Sequence, residues 1–294
     1  MASPPPGWEA GKDRPFAHAN LGVRYQLGKR VGLPMSVAYE PGLGEPQVRP
    51  LRIFVIDPAA SALDGKTTTA NVPYEPLAPG PSGRLIEVEL KDDHSGCTYA
   101  QADLDDHAIL LGNGIAPTES DPRFHAQMAY AVTSLTHATF RRALGRQIAW
   151  PFGDRDGKPP RLRIRPFVDD CENAWYDPDA GTLNFGYFHA CEQVAGRTLP
   201  NGIIFTSLSH DIVAHEMSHA MLDALRSNFS VPTSNDMTGF HEGFADLVAL
   251  LQHFQYPNAL RAALVGCRCK LRGQSYLNSI GQQFDCAFAR PARP

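Results

Sequence analysis

Asp211-Ile212-Val213-Ala214-His215-Glu216-Met217-Ser218-His219 is the stretch on which the rest of the chain turns. Two histidines four apart on a helix stand one turn above each other on the same face, so both imidazoles reach a single metal ion. Glu216 sits beside them, placed to take a proton from a water that the ion activates, which is the physical content of the H-E-x-x-H pattern. Random order at this composition would produce the pattern roughly 0.015 times per chain, so the surrounding residues have to decide its meaning. Ser209 or Asp211 can cap a helix running to about Arg226, with Val213, Met217, Ala220, Met221 and Leu225 as its buried stripe.

A polar loop from Ser227 to Thr238 leads to a second helix, predicted from near Thr238 or Gly239 through His253-Phe254. Glu242 and Asp246 are four apart and share one face, while Phe240, Phe244, Leu247, Val248 and Leu251 are expected to face the core. Two carboxylates stacked on an otherwise apolar helix are costly unless something positive meets them. A metal ion and a metal-bound histidine would do so. Hydrolytic zinc sites keep three protein ligands and an open fourth position, and His2Glu is one such set. On this reading His215, His219 and Glu242 hold one zinc ion, Glu216 is the general base, and Asp246 orients a ligand imidazole. The other large H-E-x-x-H class needs Gly and His where this chain has Leu222 and Leu225.

Upstream, Pro122 to Gly145 shows apolar residues at three and four with proline just inside the start and glycine at the stop, a helix over about 122–145. His125 and His137 within it, taken singly, are surface or core-rim histidines. Arg161 to Val168 alternates basic and apolar residues, as a strand with one wet face does. Glu172 to Tyr187 has the pattern of a hairpin turning at Pro178 to Gly181, and its sparsely charged first arm offers an edge with which another extended chain could pair. Farther toward the N-terminus, residues 1–50 are dense in proline and glycine and are expected to be irregular. Strands are predicted at Arg52–Ile56 and Arg84–Leu90, with a loop over Asn71–Gly83 between them. The acids at 92–93 and at 103, 105 and 106 lack the ligand order of a calcium loop and read as solvated turns. Beyond Pro257 a helix over Leu260–Leu271 is the one element the pattern offers.

The whole chain, 294 residues with 43% hydrophobic and 20% charged residues and a net charge of -4, has the composition of a globular protein with no reason to bind nucleic acid. No apolar run approaches the roughly 20 residues that span a bilayer. The N-terminus has neither a basic nor an apolar leader region, which points to the cytoplasm and leaves export by another route open. The six cysteines are scattered and read as reduced thiols, and Cys267-x-Cys269 lacks a second pair at zinc-finger spacing.

With these residues in place, the sequence resembles the thermolysin-like gluzincin metallopeptidases. Asp211 to His219 is similar to the family's D-x-x-x-H-E-x-x-H helix, and Glu242 and Asp246 to its E-x-x-x-D helix. Asn173-Ala174-Trp175-Tyr176 with Asn184-Phe185-Gly186 resembles the family's substrate-binding edge, and the helix from Pro122 to Arg142 the long helix before it. The resemblance covers about residues 120–255. It implies an α+β, zincin-like fold: a β-rich N-terminal lobe, a helical C-terminal lobe and one catalytic zinc in the cleft between them. It also implies a peptide or unfolded-protein substrate held along residues 173–176 as an added strand. The implied organisation is an irregular segment over 1–50, a β-rich region over 51–120, a metallopeptidase core over 121–256 and a divergent or truncated segment over 257–294.

The chain departs from the family in three ways. No tyrosine lies between Leu222 and His241, where the family has its oxyanion-stabilising one. The family's later transition-state histidine has no counterpart, since His253 stands on the same helix about 16 Å along its axis from Glu242. Of the family's calcium ligands only Asp211 is matched; Arg261 and Ala263 stand where acids are expected, so calcium is not implied. The expectation is a truncated or frame-altered helical lobe around an intact zinc core. Two functions follow: a zinc metallopeptidase with Glu216 as base, or a catalytically impaired, zinc-stabilised peptide-binding scaffold derived from one.

Overall fold

Why Asp211–His219 ends up where it does is decided by the helix behind it. In the computed structural model, which describes residues 37–58, 67–152, 159–190, 201–226 and 234–266, helix α2 (Pro122–Leu144) follows strands β1 (Val48–Phe54), β2 (Thr67–Pro73) and β3 (Ile86–Val88) and the short helix α1 (His107–Leu111). The Asp121 side chain caps α2 by accepting from the Arg123 N–H, and Gly145 ends it in the left-handed region at φ 62°. Phe124, Met128, Tyr130, Ala131 and Val132 are all buried, so α2 is enclosed on nearly every side. Strands pack on one flank and a later helix on the other. His125 and His137 are buried within it, not at the surface or rim as single histidines usually are.

Strands β1 and β2 pair antiparallel with Leu51 opposite Ala70, and their inward residues Leu51, Ile53 and Val72 join the core around α2. The first strand starts at Val48, inside the segment expected to be irregular. Pro50 is accommodated because each strand of this pair has a free edge among the described residues. The expected strand over 84–90 contracts to the three residues of β3, with Leu85 and Leu90 still buried.

A four-stranded mixed sheet, in the order β3, β4 (Leu162–Arg165), β6 (Thr182–Phe185), β5 (Ala174–Asp177), carries the predicted hairpin at one edge. β3, β4 and β6 run parallel and β5 returns antiparallel to β6 with Tyr176 opposite Leu183. At the turn, Asp177 accepts from the N–H groups of Asp179 and Ala180 at 2.9 Å each. Gly181 adopts φ 60° and a Cβ there would meet the Phe152 ring at 2.8 Å, so this position needs glycine for both reasons.

The chain then forms β7 (Tyr187–His189) and β8 (Ile203–Phe205), an antiparallel pair, and a 3-10 turn over Thr206–Leu208. Helices α3 (His210–Leu225), α4 (Asn235–Gln252) and α5 (Pro257–Gly266) follow, with a 3-10 turn at His253–Gln255 between the last two. Ser209 occupies the N-cap of α3 without a capping side-chain bond. The Cys267-x-Cys269 pair and the rest of the C-terminal segment lie outside the described residues, as do residues 1–36; Cys97 and Cys171 are free thiols.

α4 corrects one expectation. Phe240, Leu247 and Leu251 are 50%, 56% and 60% exposed, and the buried side chains are His241, Ala245, Ala249 and Gln252. Both sets recur at three and four, so helical period alone does not choose between them. Ala245 and Ala249 present little bulk toward the core, and α3 and α4 make one of the most extensive helix contacts in the fold. That orientation brings Glu242 and Asp246 over α3 and turns the large apolar residues outward.

The acidic clusters also have specific structural partners. Asp105 pairs with buried Arg49 at 2.6 Å, and Asp106 caps α1. Asp92 is itself buried, accepting from the N–H groups of His94 and Ser95. Among the described residues no helix is long and apolar enough to cross a membrane.

Candidate metal centre

Residues 215, 216 and 219 are adjacent because α3 continues unbroken through them, and α4 runs antiparallel across α3. The pairings order the two helices: His219 meets Glu242, His215 meets Glu242 and Asp246, and Asp211 meets His253. His215 Nε2 lies 3.1 Å from His219 Nε2 and 3.4 Å from Glu242 Oε2, and His219 Nε2 lies 3.9 Å from that oxygen. Donors about 2.0–2.1 Å from one tetrahedral ion would stand roughly 3.3–3.4 Å apart. The three atoms therefore converge at the spacing of a His2Glu ligand set, and their donor chemistry suits zinc.

Behind this cluster, His215 Nδ1 is 2.9 Å from Asp246 Oδ1, which directs the opposite ring nitrogen at the site. His219 is buried and its ring stacks on that of His241 at 5.8 Å between centroids. Glu242 and Asp246 are about half exposed, so the acidic side of the cluster opens to solvent.

The electrostatics show a demand for positive charge. Burial alone would lower the His215 pKa, but the Glu242 hydrogen bond and the charges of Glu216, Glu242 and Asp246 overturn this and raise it to about 9. Burial and the neighbouring His215 cation push His219 down to about 3. One proton is thus held where two imidazole nitrogens face each other, a place a divalent ion would fill with more charge. Burial lifts Glu216 to about 7; the His215 charge and a backbone hydrogen bond from Tyr176 oppose the rise, and Glu242 adds to it.

The hairpin strand β5 is the sheet's edge and packs under α3. Its residues divide by face. The Tyr176 side chain is buried, and its hydroxyl donates to Asp223 Oδ2 of α3 at 2.9 Å. Trp175 points the other way and lines a shallow surface depression with Arg163, Arg165 and Asn184. Asn173 is exposed just before the strand, its carbonyl accepting from the Gly186 N–H at 2.9 Å, and Ala174 is half-buried. Among the described residues β5 is thus the outermost strand of its sheet, beside the helix that carries Glu216 and bonded to that side chain through the Tyr176 backbone.

Sequence reasoning did not anticipate a second convergence one turn earlier on α3. His210, Asp211 and His253 are all buried and face one another. His253 is far from Glu242 along the chain's helical axis, as the axial rise required, but the antiparallel crossing delivers it to Asp211.

No family model matches the chain, and no curated protein matches it significantly. Among solved structures it is similar to the precursor of protealysin, a metalloproteinase from Serratia proteamaculans. The identity is 12% and the TM-score 0.37, over 63% of this chain and 48% of that one. The chain spans about half the length of that precursor.

Proposed function

We propose that this protein is a zinc-dependent metallopeptidase of zincin type, acting on peptides or unfolded protein with Glu216 as general base. The observation that carries this reading is the convergence of His215 Nε2, His219 Nε2 and Glu242 Oε2 within 4.8 Å of one another, beside a buried glutamate. A zinc ion held there supplies Lewis acidity toward a carbonyl and makes a water acidic enough to react near neutral pH. Asp246 accepts from His215 Nδ1–H and so fixes the tautomer that leaves Nε2 as a donor of electrons. Glu216, buried beside the two histidines, would receive a proton from water and pass it to a leaving amine. Strand β5 at the sheet edge, from Asn173 and Ala174 through Trp175 and Tyr176, would hold an extended peptide by main-chain hydrogen bonds, beside the bond that the Tyr176 backbone makes to Glu216.

A second reading, a zinc-stabilised peptide-binding scaffold, is favoured by the commitment of the Tyr176 hydroxyl to Asp223 and by the lack of any tyrosine between Leu222 and His241. Loss of one donor to a developing oxyanion costs on the order of 100-fold or more in turnover. The test is zinc content and cleavage of an unstructured protein by wild type, Glu216→Gln and His219→Ala. Zinc with cleavage that Glu216→Gln abolishes supports the peptidase. Zinc without cleavage in any of them supports the scaffold, and a His219→Ala chain with undiminished zinc overturns the assignment of ligands.

A further inference from the structure

We infer that His210, Asp211 and His253 form a second, buried transition-metal site, of zinc type, that clamps the first turn of α3 to the C-terminal end of α4. His253 Nε2 is 2.5 Å from Asp211 Oδ1, and His210 Nδ1 is 3.8 Å from the same oxygen. All three side chains are almost completely withdrawn from solvent, and the two rings tilt together with centroids 5.3 Å apart.

A buried carboxylate needs a compensating positive charge. A proton on His253 would supply it, but that solution leaves His210 unmet. His210 Nε2 is 2.9 Å from the Tyr256 hydroxyl, and its Nδ1 has no hydrogen-bond partner among the described residues. If Tyr256 donates to Nε2, the Nδ1–H points toward an oxygen too distant to bond. If Nε2–H donates to Tyr256, Nδ1 is a buried lone pair with no donor. A metal ion satisfies the second arrangement: Nδ1 becomes a ligand and the Tyr256 oxygen, accepting from Nε2–H, holds the ring in orientation.

The donor set selects the ion. Two imidazoles and one carboxylate are the ligands of zinc and its neighbours, whereas calcium takes six to eight oxygens. The separations of 2.5 Å and 3.8 Å from Asp211 Oδ1 bracket the roughly 3.3 Å that two ligands of one tetrahedral ion require, so each of these two pairs needs a shift of under about 1 Å. The ion would take the place of the direct contact between His253 Nε2 and Asp211 Oδ1. Asp211 and His215 are four positions apart, so the two sites would lie about one helical turn, roughly 6 Å, apart along α3.

The test keeps the buried cluster intact and removes the other site. In the full chain, His219→Ala with Glu242→Ala should still hold one zinc per chain by elemental analysis, where wild type holds two. The melting temperature of that variant should rise by several degrees when zinc is added in roughly 100-fold excess over its dissociation constant, and should not respond to calcium. His253→Gln in wild type should reduce zinc from two to one. A His219→Ala, Glu242→Ala chain that folds by circular dichroism yet holds no zinc and shows no zinc-dependent melting overturns the inference. If that variant does not fold, a wild type holding a single zinc that His253→Gln retains overturns it equally. Zinc lost from His219→Ala, Glu242→Ala alone counts against this site, and zinc lost from His253→Gln alone counts against the proposed peptidase centre, so the two failures are distinguishable.

Discussion

His215 Nδ1 and Asp246 Oδ1 stand 2.9 Å apart across the α3–α4 interface, and this bond determines which nitrogen of the ring faces His219 and Glu242. Asp246→Asn keeps the shape and removes the charge that makes the imidazole a strong ligand. Zinc affinity is expected to fall about 10- to 100-fold, with stoichiometry unchanged at saturating zinc. Competition with a chelator of known affinity measures this, and an unaltered affinity would show that Asp246 does not orient the ligand.

Tyr176 ties the sheet edge to the same helix through its hydroxyl bond to Asp223. Both groups are buried, so Tyr176→Phe removes a partner from an acceptor that water does not reach. The expected cost is about 1–3 kcal/mol in urea unfolding. Because the bond sets the distance between β5 and α3, cleavage should fall further than zinc binding does.

Helix α3 was legible in the sequence because everything it needs is local. His215, Glu216 and His219 lie within five residues, and period, cap and stop agree on one helix from His210 to Leu225. α2 was legible for the same reason, Pro122 and Gly145 marking its ends. What local pattern could not supply was the rotation of α4 about its axis, because Phe240, Leu247 and Leu251 and the smaller Ala245 and Ala249 both follow a helical period. Nor could it show His210 and Asp211 meeting His253, 42 residues on, since only the antiparallel crossing joins them. β7, β8 and α1 are three to five residues long, too short for periodicity to register.

Two buried histidines of α2 should govern acid sensitivity. His125 Nε2 is 2.8 Å from the Glu119 carbonyl oxygen, and the ring packs against Phe167 and Phe205. Burial lowers its pKa to about 4, and burial with the Arg141 charge lowers that of His137 to about 4. The unfolded chain, with histidines near 6.5, binds more protons than the folded one between these values. Stability is therefore expected to fall as pH drops from about 6.5 to about 4, by up to roughly 3 kcal/mol for each histidine. Urea unfolding at a series of pH values checks the slope, and His125→Phe should make it shallower; an unchanged slope would exclude His125 as a source.

The face that α4 turns inward can be tested by moving bulk on either side of it. Ala245 is fully buried against α3, so Ala245→Leu has to separate the helices or displace side chains, costing about 1–3 kcal/mol. Separation would also draw Glu242 and Asp246 back from His215, so zinc affinity should drop together with stability. Leu251 is 60% exposed, and Leu251→Lys is expected to change stability by no more than about 0.5 kcal/mol and leave zinc affinity alone. A helix turned the other way, with Phe240, Leu247 and Leu251 in the core, demands the reverse: a severe loss on burying lysine and little effect at position 245. Thermal unfolding and zinc titration of the two variants therefore decide the orientation, and with it whether a carboxylate can reach the two histidines.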